Sequence, residues 1–275
     1  MRVDTHMKNQ HLIALDLDGT LLRDDKTISE KTKNVLKQVR KEGHIVMIST
    51  GRPFRSSSKY YEELELDTPI VNFNGAFVHH PLDKDWGTFH EPLPIGTARE
   101  VIDICFAHSF TNIVAEVLDH VFIHYHDEKL LEIFMMGNPT ITSGDLRNFL
   151  KADPTSLLIQ VNPESSKKIM EITQDTDANV IEHRNWAMDY RFLEVVKQGI
   201  NKATGIDRVA KYYNIPQERI IAFGDENNDL EMLQYAKYGI AMGNGIKDVK
   251  EIAYDVTKTN EEDGVAYYLE KLLLS

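Results

Sequence analysis

Three short apolar runs, each closing on a polar cluster, constrain this chain more than any other feature. Residues 11–17 read HLIALDL, 44–50 read HIVMIST and 219–225 read RIIAFGD. Their cores are continuously apolar, so each predicts a strand buried on both faces, the condition of a strand inside a parallel sheet. Between the first two lies 29–43, SEKTKNVLKQVRKEG. There Val35, Leu36 and Val39 form an apolar stripe, Ser29 suits the N-cap and Gly43 the end. A helix over 54–65 and a strand over 69–76 (PIVNFNGA) complete a strand–helix–strand–helix–strand series. The same grammar returns late: helix 202–213, strand 219–225, helix 228–236, strand 238–242, helix 246–253. Such alternation predicts a doubly wound parallel sheet, Rossmann-like in its winding.

The middle of the chain has another rhythm. VFIHYHD at 121–127 alternates, SLLIQVN at 156–162 and MDYRFLEVV at 188–196 read as strands, and 163–176 reads as a helix. MMGNPTITSG at 135–144 reads as loop. Antiparallel or mixed sheet with helices on one side is expected here. The fold class is therefore α/β: a doubly wound core over 7–82 and 195–275, with an α+β domain inserted at 83–194. Two strands crossing near 80–86 and 192–198 would form a hinge.

Composition narrows the function. The 275 residues carry a net charge of −12, which argues against a broad surface for nucleic acid or anionic membrane. One cysteine, Cys105, excludes an intrachain disulfide and a cysteine-cluster metal site, and its amphipathic helical setting reads as core. No apolar run is long enough to span a membrane, and MRVDTHMKNQ lacks the apolar stretch of a signal peptide. It reads as a leader, with Met7 as an alternative start. A cytoplasmic protein, monomeric or a small homo-oligomer, is expected.

Ligands of open parallel sheets bind beyond the carboxyl ends of the strands, where this chain places its polar clusters. Asp16-Leu17-Asp18-Gly19-Thr20 follows the first strand, Ser49-Thr50-Gly51-Arg52 the second, and Gly224-Asp225-Glu226-Asn227-Asn228-Asp229 the late one. Lys202 opens the helix before that strand. Asp16, Asp18 and Asp225 offer oxygen ligands for Mg²⁺, which would cancel the repulsion between them. Thr50, Gly51 and Lys202 offer donors to a phosphoryl group.

DLDGT, STGR, the lone Lys202 and GDENND resemble, in order and spacing, the four motifs of the haloacid dehalogenase-like (HAD) phosphatases. NFNGA, AMGNG and TNEEDGVAYYLEKLL resemble the Cof-type branch, which carries a large α/β cap. The resemblance implies a Mg²⁺-dependent phosphatase for a small phosphorylated metabolite, such as a sugar phosphate or a phosphorylated cofactor. It implies Asp16 as nucleophile and Asp18 as acid and base, with Mg²⁺ on Asp16, Asp225 and the carbonyl of Asp18. Leu17, Thr50, Gly51, Lys202 and Asn228 would lie at the phosphate, Asn228 alternatively at a metal-bound water. Asp229 would orient Lys202 or stand behind the metal. The cap would select the substrate. A phosphomutase, or a binder that retains the fold without catalysis, are the alternative readings.

Several positions admit plainer roles. Thr50 also suits a helix N-cap, and Asp229 an acid complementing a helix dipole. Arg52 and Asn74 border the site and suit structural roles equally. His120, His124 and His126 would share one face of a strand, more in keeping with a solvated or substrate-facing surface than with zinc. Met135 and Met136 read as cap core or edge.

Overall fold

The computed structural model describes residues 10–187 and 190–274. The leader at 1–6, the alternative start at Met7 and Met188 lie outside the described residues. The chain forms two compact units. One comprises residues up to Gly51, Lys59–Thr88 and the chain from Asn201 onward; the other comprises Arg52–Ser58 and Phe89–Ile200.

The first unit holds β1 (Leu12–Leu15), α1 (Glu30–Lys41), β2 (Ile45–Ile48), the part of α2 (Phe54–Glu63) from Lys59 onward, and β3 (Ile70–Asn72). All four β1 side chains are fully buried, as a central parallel strand requires. Helix α1 starts where Ser29 accepts from Thr32 N–H at 3.0 Å. It buries Val35, Leu36 and Val39, the stripe read from its sequence. After β3 the chain turns back through β4 (Phe77–His79), which pairs antiparallel with β3, to β5 (Thr88–His90).

The second unit runs α3 (Ile95–His108), β6 (Asn112–Val117), β7 (His120–Ile123), α4 (Glu128–Phe134), β8 (Thr140–Ser143), α5 (Leu146–Phe149), β9 (Ser156–Val161), α6 (Pro163–Thr173), β10 (Ala178–Ala187) and β11 (Tyr190–Lys197). Its sheet has the order β10-β11-β9-β6-β7-β8, antiparallel except for the β7–β8 pair. From α3, Ala98, Val101, Ile102 and Cys105, and from α6, Ile169, pack with Ile113, Ala115, Leu157 and Ile159. Burial pushes the Cys105 thiol up to about 12, the mark of an inert core residue.

The chain then returns with α7 (Lys202–Tyr212), β12 (Ile220–Gly224), α8 (Leu230–Tyr235), β13 (Tyr238–Ala241), α9 (Lys247–Ile252), β14 (Asp255–Val256) and α10 (Gly264–Leu273). The main sheet has the order β14-β13-β12-β1-β2, all parallel. A parallel bridge between Ser49 and Val71 links β2 toward β3. Leu12, Ala14, Met47, Val71, Ile206, Val209 and Ala222 belong to one apolar cluster. Among the described residues no helix is long and apolar enough to cross a membrane.

Three expectations differ from the structure. The unit boundaries fall at 88/89 and 200/201 rather than at 82/83 and 194/195, and residues 52–58 group with the second unit. The stretch 135–144 is not all loop, because Thr140–Ser143 adds an edge strand beside β7. The three histidines do not act as a set. His120 contacts Thr142 Oγ1 at 2.9 Å, buried His124 accepts from Leu146 N–H at 3.2 Å, and His126 is exposed, because β7 ends at Ile123.

The fully buried centre of β1 makes a direct stability test. Ile13→Ala is expected to cost about 2–5 kcal/mol by lost burial and the cavity left behind, read as a lower urea midpoint.

Candidate active site

The parallel direction of the sheet brings four chain segments to one edge. Asp16 follows β1, Thr50 follows β2, Asn74 follows β3 and Asp225 follows β12. Lys202, the first residue of α7, completes the group.

A lysine at a helix N-terminus opposes the helix dipole, and this one is fully buried. Two carboxylates account for it. Nζ donates to Asp16 Oδ1 and to Asp229 Oδ1, each at 2.6 Å. Burial works against the ammonium, but the two carboxylates outweigh it and hold its pKa above the ordinary lysine value. Asp229 is buried too, and its Oδ2 accepts the N–H groups of Asp225 (2.8 Å) and Glu226 (3.0 Å). Asp229 is thus a counter-ion for Lys202, not simply an acid answering a helix dipole.

Asp225 lies against the turn after β1. Thr20 Oγ1 donates to its Oδ1 at 2.8 Å. Gly19 permits this approach: its φ is +75°, and a Cβ there would stand 2.8 Å from the Asp225 carboxyl carbon. Asn244 Nδ2 donates to Gly19 O at 2.7 Å. Burial, with the neighbouring carboxylates, pushes Asp225 up to about 8. Burial likewise pushes Asp16 up to about 7, despite the opposing pull of Lys202.

These carboxylates ask for a cation. Asp16, Asp225 and Asp229 have ligand oxygens within 4.8 Å of one another. Three acids face one ammonium, which leaves an excess of negative charge in a buried place. Asp229 spends both oxygens on Lys202 and the backbone. Lys202 occupies Oδ1 of Asp16 and Thr20 occupies Oδ1 of Asp225, so the second oxygen of each can face an ion. An all-oxygen donor set suits a hard divalent cation such as Mg²⁺.

Asp18 stands apart. Its side chain is 40 % exposed and its Oδ1 accepts from Lys26 Nζ at 2.9 Å. Leu17 has a fully buried side chain, and its carbonyl takes Thr20 N–H and Leu22 N–H. Any phosphate contact there falls to its main-chain N–H. Thr50 spends its N–H on Val71 O (2.9 Å) and its carbonyl on Asn74 N–H (3.1 Å), which fixes its main chain at the end of β2. Because α2 begins only at Phe54, Thr50 does not cap it. Asn74 is fully buried in a left-handed conformation, φ 52° and ψ 33°, and accepts from Asn228 Nδ2 at 3.0 Å. It braces Asn228 beside Gly51.

Thr20, Asn244 and Lys26 escaped assignment from sequence, whereas Asn74, read there as bordering the site, takes the structural role of holding Asn228. A signal existed for Thr20 and Asn244, which sit inside DLDGT and AMGNG. Lys26 is marked only by its positive φ.

The profile of the haloacid dehalogenase-like hydrolases matches residues 13–269. The chain belongs to this family. It is 54 % identical over 261 residues to 5-amino-6-(5-phospho-D-ribitylamino)uracil phosphatase YitU of Bacillus subtilis, covering 95 % of this chain and 97 % of that one. It is 30 % identical over 258 residues to YcsE of the same organism, which bears the same activity name, covering 93 % and 92 %. A solved haloacid dehalogenase-like hydrolase from B. subtilis superposes with a TM-score of 0.82 at 26 % identity, covering 96 % of this chain and all of that one. This HAD protein is a phosphatase, and its doubly wound core with an inserted domain is the fold of its relatives.

The Lys202–Asp229 contact generates a test. In this HAD phosphatase, Asp229→Ala leaves a fully buried ammonium with one partner. It is expected to cost about 3–5 kcal/mol, read as a loss of unfolding free energy in denaturant.

Proposed function

We propose that this phosphatase hydrolyses a small phosphate monoester through a phosphorylated Asp16, with 5-amino-6-(5-phospho-D-ribitylamino)uracil as its substrate and the cytoplasm as its place of action. One observation carries the mechanism. Two aspartates only two residues apart occupy opposite environments: the Asp16 side chain is 8 % exposed and pinned by Lys202, whereas the Asp18 side chain is 40 % exposed. A held carboxylate suits a nucleophile, and a more accessible one suits proton exchange with alcohol and water.

In the first half-reaction Asp16 bonds to phosphorus as the bond to the leaving oxygen breaks. Asp18 gives that oxygen its proton. In the second, water attacks phosphorus, Asp18 takes a proton from it, and Asp16 is released as carboxylate. Thr50 and Lys202 hold phosphoryl oxygens, Gly51 and Leu17 offer N–H groups, and Asn228 adds a polar contact. Mg²⁺ held by Asp16, Asp225 and the Asp18 carbonyl would supply positive charge against the phosphoryl group. Asp229 orients Lys202. The second unit is read as the selector of the leaving group.

The substrate rests on relatives. YitU and YcsE share one activity name, and the first matches this chain closely along its length. The named compound is a primary alkyl phosphate, whose alkoxide needs a proton to depart.

The expected result with that compound and Mg²⁺ is stoichiometric inorganic phosphate, with kcat/KM on the order of 10⁴ M⁻¹s⁻¹ or above and at least about tenfold above simple hexose phosphates. Equal or better turnover of hexose phosphates would remove the substrate assignment, and phosphate retained in an isomer would indicate a mutase. Asp16→Asn should lower kcat by on the order of 10³-fold or more with an unchanged circular dichroism spectrum. Activity should vanish with excess chelator and return with Mg²⁺, but poorly with Ca²⁺, whose larger, looser coordination displaces the reacting groups.

A further inference from the structure

Beyond Leu22 the chain makes a tight turn. Arg23 N–H donates to Thr27 O and Lys26 N–H to Arg23 O, each at 2.9 Å. Asp25 Oδ1 closes it by accepting from Thr27 N–H (3.0 Å) and the Thr27 hydroxyl (2.6 Å). This turn needs a left-handed residue in its fourth place, and Lys26 supplies it with φ 63°. Glycine or asparagine ordinarily takes such a position, because a Cβ there is strained.

The lysine side chain reaches back to Asp18, with Nζ 2.9 Å from Oδ1. Its backbone is held from the core side, where the hydroxyl of buried Tyr60 donates to Lys26 O at 3.1 Å. The two charged side chains are 53 % and 40 % exposed. An ion pair that open adds almost nothing to stability, so stability does not explain a lysine where the turn wants glycine. Strain of this kind collects at functional sites.

We propose that Lys26 is a positioning residue for Asp18 and, through it, decides which leaving groups the enzyme can expel. The proposal rests on the reading of Asp18 as acid and base. An ammonium has only donors, so Asp18 Oδ1 must accept and the carboxyl proton is confined to Oδ2. As the phosphorus–oxygen bond of the substrate breaks, its electron pair stays on the leaving oxygen, which takes that proton. The alcohol departs, and the charge left on Asp18 faces the Lys26 ammonium. Water later returns a proton to Oδ2 as its oxygen bonds to phosphorus and Asp16 is released. An alkyl phosphate depends on this transfer; p-nitrophenyl phosphate, whose phenolate leaves unprotonated, depends on it far less.

The test compares Lys26→Gly, Lys26→Arg and Asp18→Asn in the full-length Mg²⁺-loaded enzyme, using ribose 5-phosphate and p-nitrophenyl phosphate. The readout is the alkyl-to-aryl ratio of kcat/KM, which cancels differences in folded fraction. Lys26→Gly should lower the ratio about tenfold, a part of what general acid catalysis contributes, while its melting temperature stays equal or rises because glycine relieves the turn. Lys26→Arg should retain most of the ratio. Asp18→Asn should lower it further than Lys26→Gly does. An unchanged ratio in Lys26→Gly alongside a lowered one in Asp18→Asn overturns the role of Lys26 alone. An unchanged ratio in Asp18→Asn overturns the acid reading and this proposal with it.

Discussion

The buried ammonium of Lys202, held between Asp16 and Asp229, is the contact on which the first unit's site depends. Three segments far apart in sequence meet in it: the end of β1, the start of α7 and the turn after β12. None of the three charges is tolerable alone at that depth. Together they fix the orientation of the Asp16 carboxylate and, through the N–H groups that Asp229 accepts, the path of the Asp225 loop. A site assembled from such mutual compensation is rigid before any ligand arrives. Its cost is a surplus of negative charge, which burial turns into raised carboxyl pKa values at Asp16 and Asp225. A divalent cation would resolve that surplus, and in the proposed mechanism metal binding and ionisation of Asp16 are parts of one electrostatic arrangement.

Asp18 belongs to a different environment although it is only two residues from Asp16. Beyond β1 the chain turns at Gly19, with the Asp16 carboxyl in the buried cluster and the Asp18 carboxyl near solvent. In the proposed mechanism this separation divides labour between two chemically identical groups, with environment rather than residue type assigning acid and nucleophile. Thr20 contributes by tying the same turn to Asp225.

The core strands were legible because a strand buried on both faces leaves a continuous apolar run, and their carboxyl ends were legible because charge there is costly without a purpose. Asp16 and Asp225 could be placed on that ground, Thr50 by its position after the second strand and Lys202 by its motif context, and the structure brings the four to one edge. The rest depended on partners that local pattern does not encode. Thr20 acts on a carboxylate 205 residues away. Asn74 and Lys26 are marked by positive φ, which no periodicity announces. The boundary at 88/89 was missed because β4 and β5 are only three residues each, too short to show alternation. His124 looked like one of three equivalent histidines until the end of β7 at Ile123 broke the repeat.

The central claim is that Asp16 carries the phosphoryl group between the two halves of the reaction. Acid-quenching the Mg²⁺-loaded enzyme in steady-state turnover, then mapping peptides by mass spectrometry, tests it most directly. The account predicts one phosphoryl adduct on the peptide containing Asp16, lost on treatment with hydroxylamine and absent from Asp16→Asn. An adduct on any other residue, or rapid turnover with no adduct at any quench time, would contradict it.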